Sequence, residues 1–185
     1  MDLRIVSRVL SLRAAWRRRD QWDAMKIAAH QEHALQELRR AAYAGSAFYR
    51  RHHAGLQEAP FGQLPPVTKA DLMRHFDEAV TAPGLKLADV EQHLRSLAAE
   101  DGDPGVPWRG RWWTAATAGT AGPRGTFIWN RSEWATVVAS YARANDWAGI
   151  KAGPGRPLKL ALVTSRVPTH QSAVLGASLR SGLVP

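Results

Sequence analysis

Nine residues, Thr117-Ala118-Gly119-Thr120-Ala121-Gly122-Pro123-Arg124-Gly125, place three glycines, two threonines and a guanidinium between two β-favouring runs. Arg111 to Thr117 and Thr126 to Asn130 read as strands, so the loop between them is the turn of a hairpin-like pair. Glycine lets a backbone come close to a ligand and reach conformations that other residues avoid. Exposed N–H groups in such a turn, with threonine hydroxyls and one cation, make a cradle for phosphate. No Gly-Lys-Ser/Thr closes the loop, so it is not a Walker A motif, and the glycine spacing does not fit a dinucleotide fingerprint. The plain alternative is a flexible Gly- and Thr-rich turn that needs no ligand.

The rest of the chain divides by character. The first third reads as helical: Asp20 is the expected N-cap of a long helix, with Asp23 three residues on. Trp22, Met25, Ala29, Leu35, Leu38 and Ala42 mark its apolar side, and Gly45 its stop. Ser46 to Pro66 is mostly loop, with a short helix around Phe48. Thr68 and Asp71 form a capping box, and Pro83-Gly84 breaks the chain before a helix from Leu87 to Ala99. That helix carries Leu87, Val90, Leu94 and Leu97 on its apolar face. The loop Asp101-Gly102-Asp103-Pro104-Gly105 is the best internal boundary, dividing a helical region, 1–100, from an α/β region, 101–185. Asn130 and Glu133 make a second capping box for a helix to about Trp147, ended by Gly149, with Trp134, Val137, Val138 and Tyr141 on its buried side. Leu158 to Thr164 is the clearest strand, and a helix from Gln171 to Arg180 follows it. This order implies an α/β layer with a parallel sheet.

Composition bounds the function. With 45% hydrophobic and 22% charged residues, the 185-residue chain sits near globular averages. No apolar run approaches membrane-spanning length, and no secretory leader is recognisable. The absence of cysteine excludes disulfides and thiolate metal sites and fits a cytoplasmic location. The net charge of +9 is concentrated early, at Arg4, Arg8, Arg13, Arg17, Arg18, Arg19, Arg39, Arg40, Arg50 and Arg51. Leu3, Val6, Val9, Leu10 and Trp16 recur at helical spacing, which makes the first stretch a basic amphipathic helix. Two readings follow from it: a solvated helix whose apolar stripe packs on the domain, or an interaction module for a partner subunit, an anionic membrane or nucleic acid.

Three further segments stand in order with the loop: Ala47-Phe48-Tyr49-Arg50-Arg51, Leu64-Pro65-Pro66-Val67-Thr68-Lys69-Ala70-Asp71-Leu72, and Arg131-Ser132-Glu133-Trp134-Ala135. Together with the loop they resemble adenylate-forming enzymes of the phenylacetate–CoA ligase and coenzyme F390 synthetase-like family, from about Ile27 to Ile150. The resemblance implies a helical N-terminal region followed by the start of an adenylate-forming large domain with a mixed or parallel sheet. It also implies truncation, because members are more than twice this long and carry later acidic motifs, a hinge and a catalytic lysine. The implied activity converts a small carboxylic acid and ATP, with Mg²⁺, to an acyl-adenylate and passes it to coenzyme A. A missing C-terminal half or a partner chain would complete it, nucleic acid is not expected, and this chain alone would not turn over.

The resemblance assigns phosphate binding to Thr117, Gly119, Thr120, Gly122 and Gly125, with Arg124 in the basic position. Ala118 and Ala121 replace hydroxyl residues usual in the family, at about 1–3 kcal/mol for each phosphate oxygen left unpaired. His170 lies where such enzymes begin the acyl-substrate pocket. His30 with His33, and His52 with His53, lack the partners of a metal site and read as ordinary histidines. Trp108, Trp112, Trp113, Trp129, Trp134 and Trp147 could line an acyl pocket or stack bases, though core packing is the expected role for most.

Overall fold

The computed structural model describes residues 2–99, 102–119, 123–150, 161, 163 and 166–180. The chain is mixed α/β and mostly helical, and its described sheet is one antiparallel pair. It forms two compact units, one of residues 1–21, 92–118 and 126–185, the other of residues 22–91 and 119–125. This division differs from the expected boundary at 101–105. The first helix belongs with the C-terminal half because its apolar stripe completes that half's core.

In that first unit, α1 (Leu3–Arg19) starts at Asp2, whose carboxylate accepts the Arg4 N–H at 2.8 Å. Its buried stripe is Ile5 and Val9, with Leu12 and Trp16 packed beside them. Of the expected stripe, Val9 and Trp16 take part in it, whereas Leu3 and Leu10 face solvent and Ile5 is buried in their stead. Positions 5, 9, 12 and 16 follow one helix face, and that face lies along α7 (Arg131–Trp147). Strand β1 (Trp113–Ala116) pairs antiparallel with β2 (Thr126–Trp129) in the register Trp113↔Trp129 to Ala116↔Thr126. All four β1 side chains are buried, whereas Phe127 on β2 is exposed. The other edge of β1 is used too: the Ala116 N–H donates to the Thr169 carbonyl at 2.8 Å.

The core of this unit gathers Ile5, Val9, Trp113, Trp134, Val138 and Val174, with small Ala115, Ala135 and Ala139 allowing close approach. Trp113 and Trp134 stack with ring centroids 5.9 Å apart, and Trp134 is fully buried. Tyr141 is exposed, so Ala135 and Ala139 take the place expected for it on the buried side of α7. The capping box reads as expected: Asn130 accepts the Ser132 and Glu133 N–H groups, and Glu133 accepts the Asn130 N–H. At the other end Gly149 adopts φ 70°, with Gly149 N–H on Asp146 and Ile150 N–H on Asn145, a Schellman stop. Helix α8 (Gln171–Arg180) packs on β1. The strand expected at Leu158–Thr164 lies outside the described residues, except for Ala161 and Val163, which are exposed.

The second unit is built on α2 (Ala24–Gly45), whose N-cap is Asp23 and not Asp20. Asp20 instead ends α1. None of the α2 residues is fully buried, and Met25 and Leu38 of the expected apolar side are exposed. Helix α3 (Ala47–His52) follows at once, capped by Ser46, which is buried and also donates to the Glu78 carbonyl at 2.8 Å. Helix α4 (Lys69–Arg74) opens with the Thr68–Asp71 capping box and is followed by α5 (Phe76–Ala79). The division between the units falls within α6 (Leu87–Ala99), where Val90, Leu94 and Leu97 are buried.

Candidate functional site

The hairpin fixes where the Gly- and Thr-rich loop leaves and returns, because Ala116 and Thr126 are register partners. Thr117 is exposed at the departure, and Gly119 takes φ 76°, a left-handed conformation that glycine adopts without strain. On the return, Arg124 is exposed and Gly125 is buried. Thr120 and Gly122 lie outside the described residues. Thr117 belongs to the unit that contains the hairpin, while Gly119, Arg124 and Gly125 belong to the other.

His170 sits immediately before α8, partly buried, and its carbonyl accepts the Ala173 and Val174 N–H groups. It adjoins Thr169, the residue bonded to Ala116, so the chain holds His170 close to the start of the loop. Sequence spacing carries no signal of this link, because it is a backbone bond between segments more than fifty residues apart.

Several of the basic residues are tied into the structure. Asp146 receives Arg13 through two bonds of 3.2 and 2.7 Å and Arg17 through one of 2.5 Å. Those guanidinium bonds hold the Asp146 carboxyl down at about 2, against the opposing effect of burial. Arg143 reaches Asp20 at 2.5 Å and covers the Trp147 ring at 4.7 Å. In the other unit, Arg39 donates to the carbonyls of Leu56, Gln57 and Ala59, Arg50 to those of Tyr43 and Ala44, and Arg51 pairs with Glu78.

The other candidates resolve as packing. Trp112, Trp113 and Trp134 are core, while Trp147 is exposed. Trp108 lies between the His93 ring at 5.3 Å and the Arg109 guanidinium at 4.3 Å. His30 meets Trp22 edge-on, His33 faces Glu37 at 3.4 Å, and His52 and His53 sit among Phe48 and Tyr49. Among the described residues, no group of three His, Asp or Glu side chains could hold a metal ion, and no helix is long and apolar enough to cross a membrane. Comparison with known protein families, with curated proteins and with solved structures finds no match.

Proposed function

We propose that this chain carries the phosphate loop of an adenylate-forming ligase and binds ATP through it. The observation that carries the proposal is the hairpin: two antiparallel strands present a nine-residue Gly- and Thr-rich loop whose return side bears an exposed arginine. The capped helix that follows at Asn130 agrees with the order of segments in the resembled family. In this reading Thr117, Thr120 and the glycine N–H groups surround the β- and γ-phosphates, and Arg124 forks onto their oxygens. An acid substrate's carboxylate oxygen then forms a bond to the α-phosphorus while the bridging bond to the β-phosphate breaks, and pyrophosphate leaves. The loop contributes placement and charge stabilisation. His170, held beside the start of the loop through Thr169, is the residue proposed to meet the acid. Passing the acyl group to coenzyme A is the second half-reaction of the resembled family, and no residue of this chain is assigned to it. Mg²⁺ would enter with the nucleotide, held chiefly by its phosphates and water.

Calorimetric titration of the 185-residue protein with ATP and with pyrophosphate tests the reading. Both are expected to bind, and Arg124→Ala to weaken both by about tenfold or more, the worth of a charge-assisted hydrogen bond. An absence of binding by either ligand, or an unchanged affinity in the variant, would refute it.

A further inference from the structure

The outer face of α1 stands apart from the loop and independent of the nucleotide reading. Packing of Ile5, Val9, Leu12 and Trp16 against the core fixes how the helix is turned, and so which side chains look outward. At about 100° per residue, Leu3, Leu10 and Ala14 lie along one line of the opposite side. Arg4, Ser11 and Arg18 follow the next line, with Arg8 beside Arg4. All of these are exposed, Leu3 at 81% and Leu10 at 47%. The helix itself contains no acidic residue. The carboxylates that flank it, and the one on α7 that faces it, are taken: Asp2 pairs with Arg131, Asp20 with Arg143, and Asp146 with Arg13 and Arg17. Among the described residues, no acidic side chain pairs with Arg4, Arg8 or Arg18.

The outer face is therefore a line of apolar side chains beside a line of uncompensated cations. Exposed leucines gain by leaving water, and the guanidiniums gain by meeting anions. An anionic bilayer surface offers both within the depth of one side chain, phosphate headgroups above acyl chains. A nucleic acid offers phosphates to the arginines but leaves Leu3 and Leu10 in water. An apolar protein surface would dehydrate the arginines without supplying an anion. We propose that this face docks on an anionic phospholipid surface, with Leu3 and Leu10 entering the acyl boundary and Arg4, Arg8 and Arg18 meeting the headgroup phosphates.

The test is cosedimentation of the full chain with vesicles of phosphatidylcholine alone and of phosphatidylcholine mixed with phosphatidylglycerol. Each cation near an anionic leaflet is worth about fivefold in affinity, so the mixed vesicles should bind at least about tenfold more tightly. Arg4→Gln, Arg8→Gln and Arg18→Gln together should bring the two vesicles level. Leu3→Ser with Leu10→Ser should weaken binding to mixed vesicles by about tenfold or more. Leu38→Ser, at a leucine of α2 that is 66% exposed, should leave it unchanged. Because every replaced side chain faces solvent, the variants should melt like the parent chain. The proposal is overturned by no binding to the mixed vesicles, which leaves an acidic protein as the occupant, by equal binding of the unmodified chain to both vesicles, or by an equal loss from Leu38→Ser. Full retention of binding by the Leu3 and Leu10 variant, with tighter binding of duplex DNA, makes the face a nucleic-acid surface and overturns it too. The two vesicles compared on the unmodified chain can refute the proposal even if a variant fails to fold.

Discussion

Asp146 ties the basic first helix to α7, and its chemistry sets a pH window. Arg13 and Arg17 stabilise its ionised form, so its carboxyl titrates at about 2 when folded against 3.8 ordinarily. The folded-state value is depressed, so the contribution is complete above about pH 4 and is lost as pH falls through about 2. Asp146→Asn should cost about 2 kcal/mol at neutral pH and flatten urea-unfolding stability across that acid window. A second window belongs to His93, whose pKa burial lowers from 6.5 as its ring stacks on Trp108. The unfolded chain then binds the proton more readily, so stability falls as pH drops below 6.5. His93→Gln should remove that slope while leaving the acid one intact. Sequence reading found the arginines but not their partners: Arg13 and Asp146 are 133 residues apart, and no local pattern links them. Gly105 was legible only as loop. In the fold, a Cβ there would come within 2.6 Å of the Ala177 backbone, so Gly105→Ala should destabilise by about 1–3 kcal/mol, measured by the same unfolding curves.

Elements with local start and stop signals were the legible ones. The Thr68–Asp71 and Asn130–Glu133 boxes, the Gly149 stop and the two strands around the loop all lie where side chains a few residues apart dictate them. Asn130→Ala removes the acceptor for two first-turn N–H groups and should cost about 1–2 kcal/mol, read from the urea midpoint at unchanged slope. Faces were less legible than ends. In α1 the expected Val9 and Trp16 do face the core, but Ile5 joins them in place of Leu3 and Leu10, because an apolar helix offers several stripes and its neighbour selects one. In α2 the apolar spacing is present, yet no residue is fully buried, so periodicity there does not report a core face. The loop's flanking strands were readable from their β-favouring residues, whereas the Ala116–Thr169 bond that brings His170 beside the loop was not.

At the scale of the molecule, chain order and packing order diverge. A reader of the sequence divides the chain at the Gly- and Asp-rich loop, because composition changes there from helical to mixed. Packing instead assigns residues 1–21 to the unit that holds the hairpin, α7 and α8. The physical reason is the size of the core. The α/β segment contributes Trp113, Trp134, Val138 and Val174, and Ile5 and Val9 of α1 join the same cluster with almost no exposure of their own. Burying two such side chains contributes roughly 3–6 kcal/mol, comparable with the whole stability of a small domain. Arg13 and Arg17 add their bonds to Asp146 on the same interface. A chain cut at the compositional boundary therefore leaves the C-terminal piece with an open core face and an unpaired carboxylate. Residues 92–185, which keep the rest of this unit, should show no cooperative thermal transition when expressed alone, while a synthetic peptide of residues 1–21 added in trans should restore one. The same peptide with Ile5→Asp and Val9→Asp should fail to do so. Cooperative melting of the isolated 92–185 piece would show that α1 is an accessory to this unit, and restoration by the doubly substituted peptide would show that charge, and not the buried stripe, holds it.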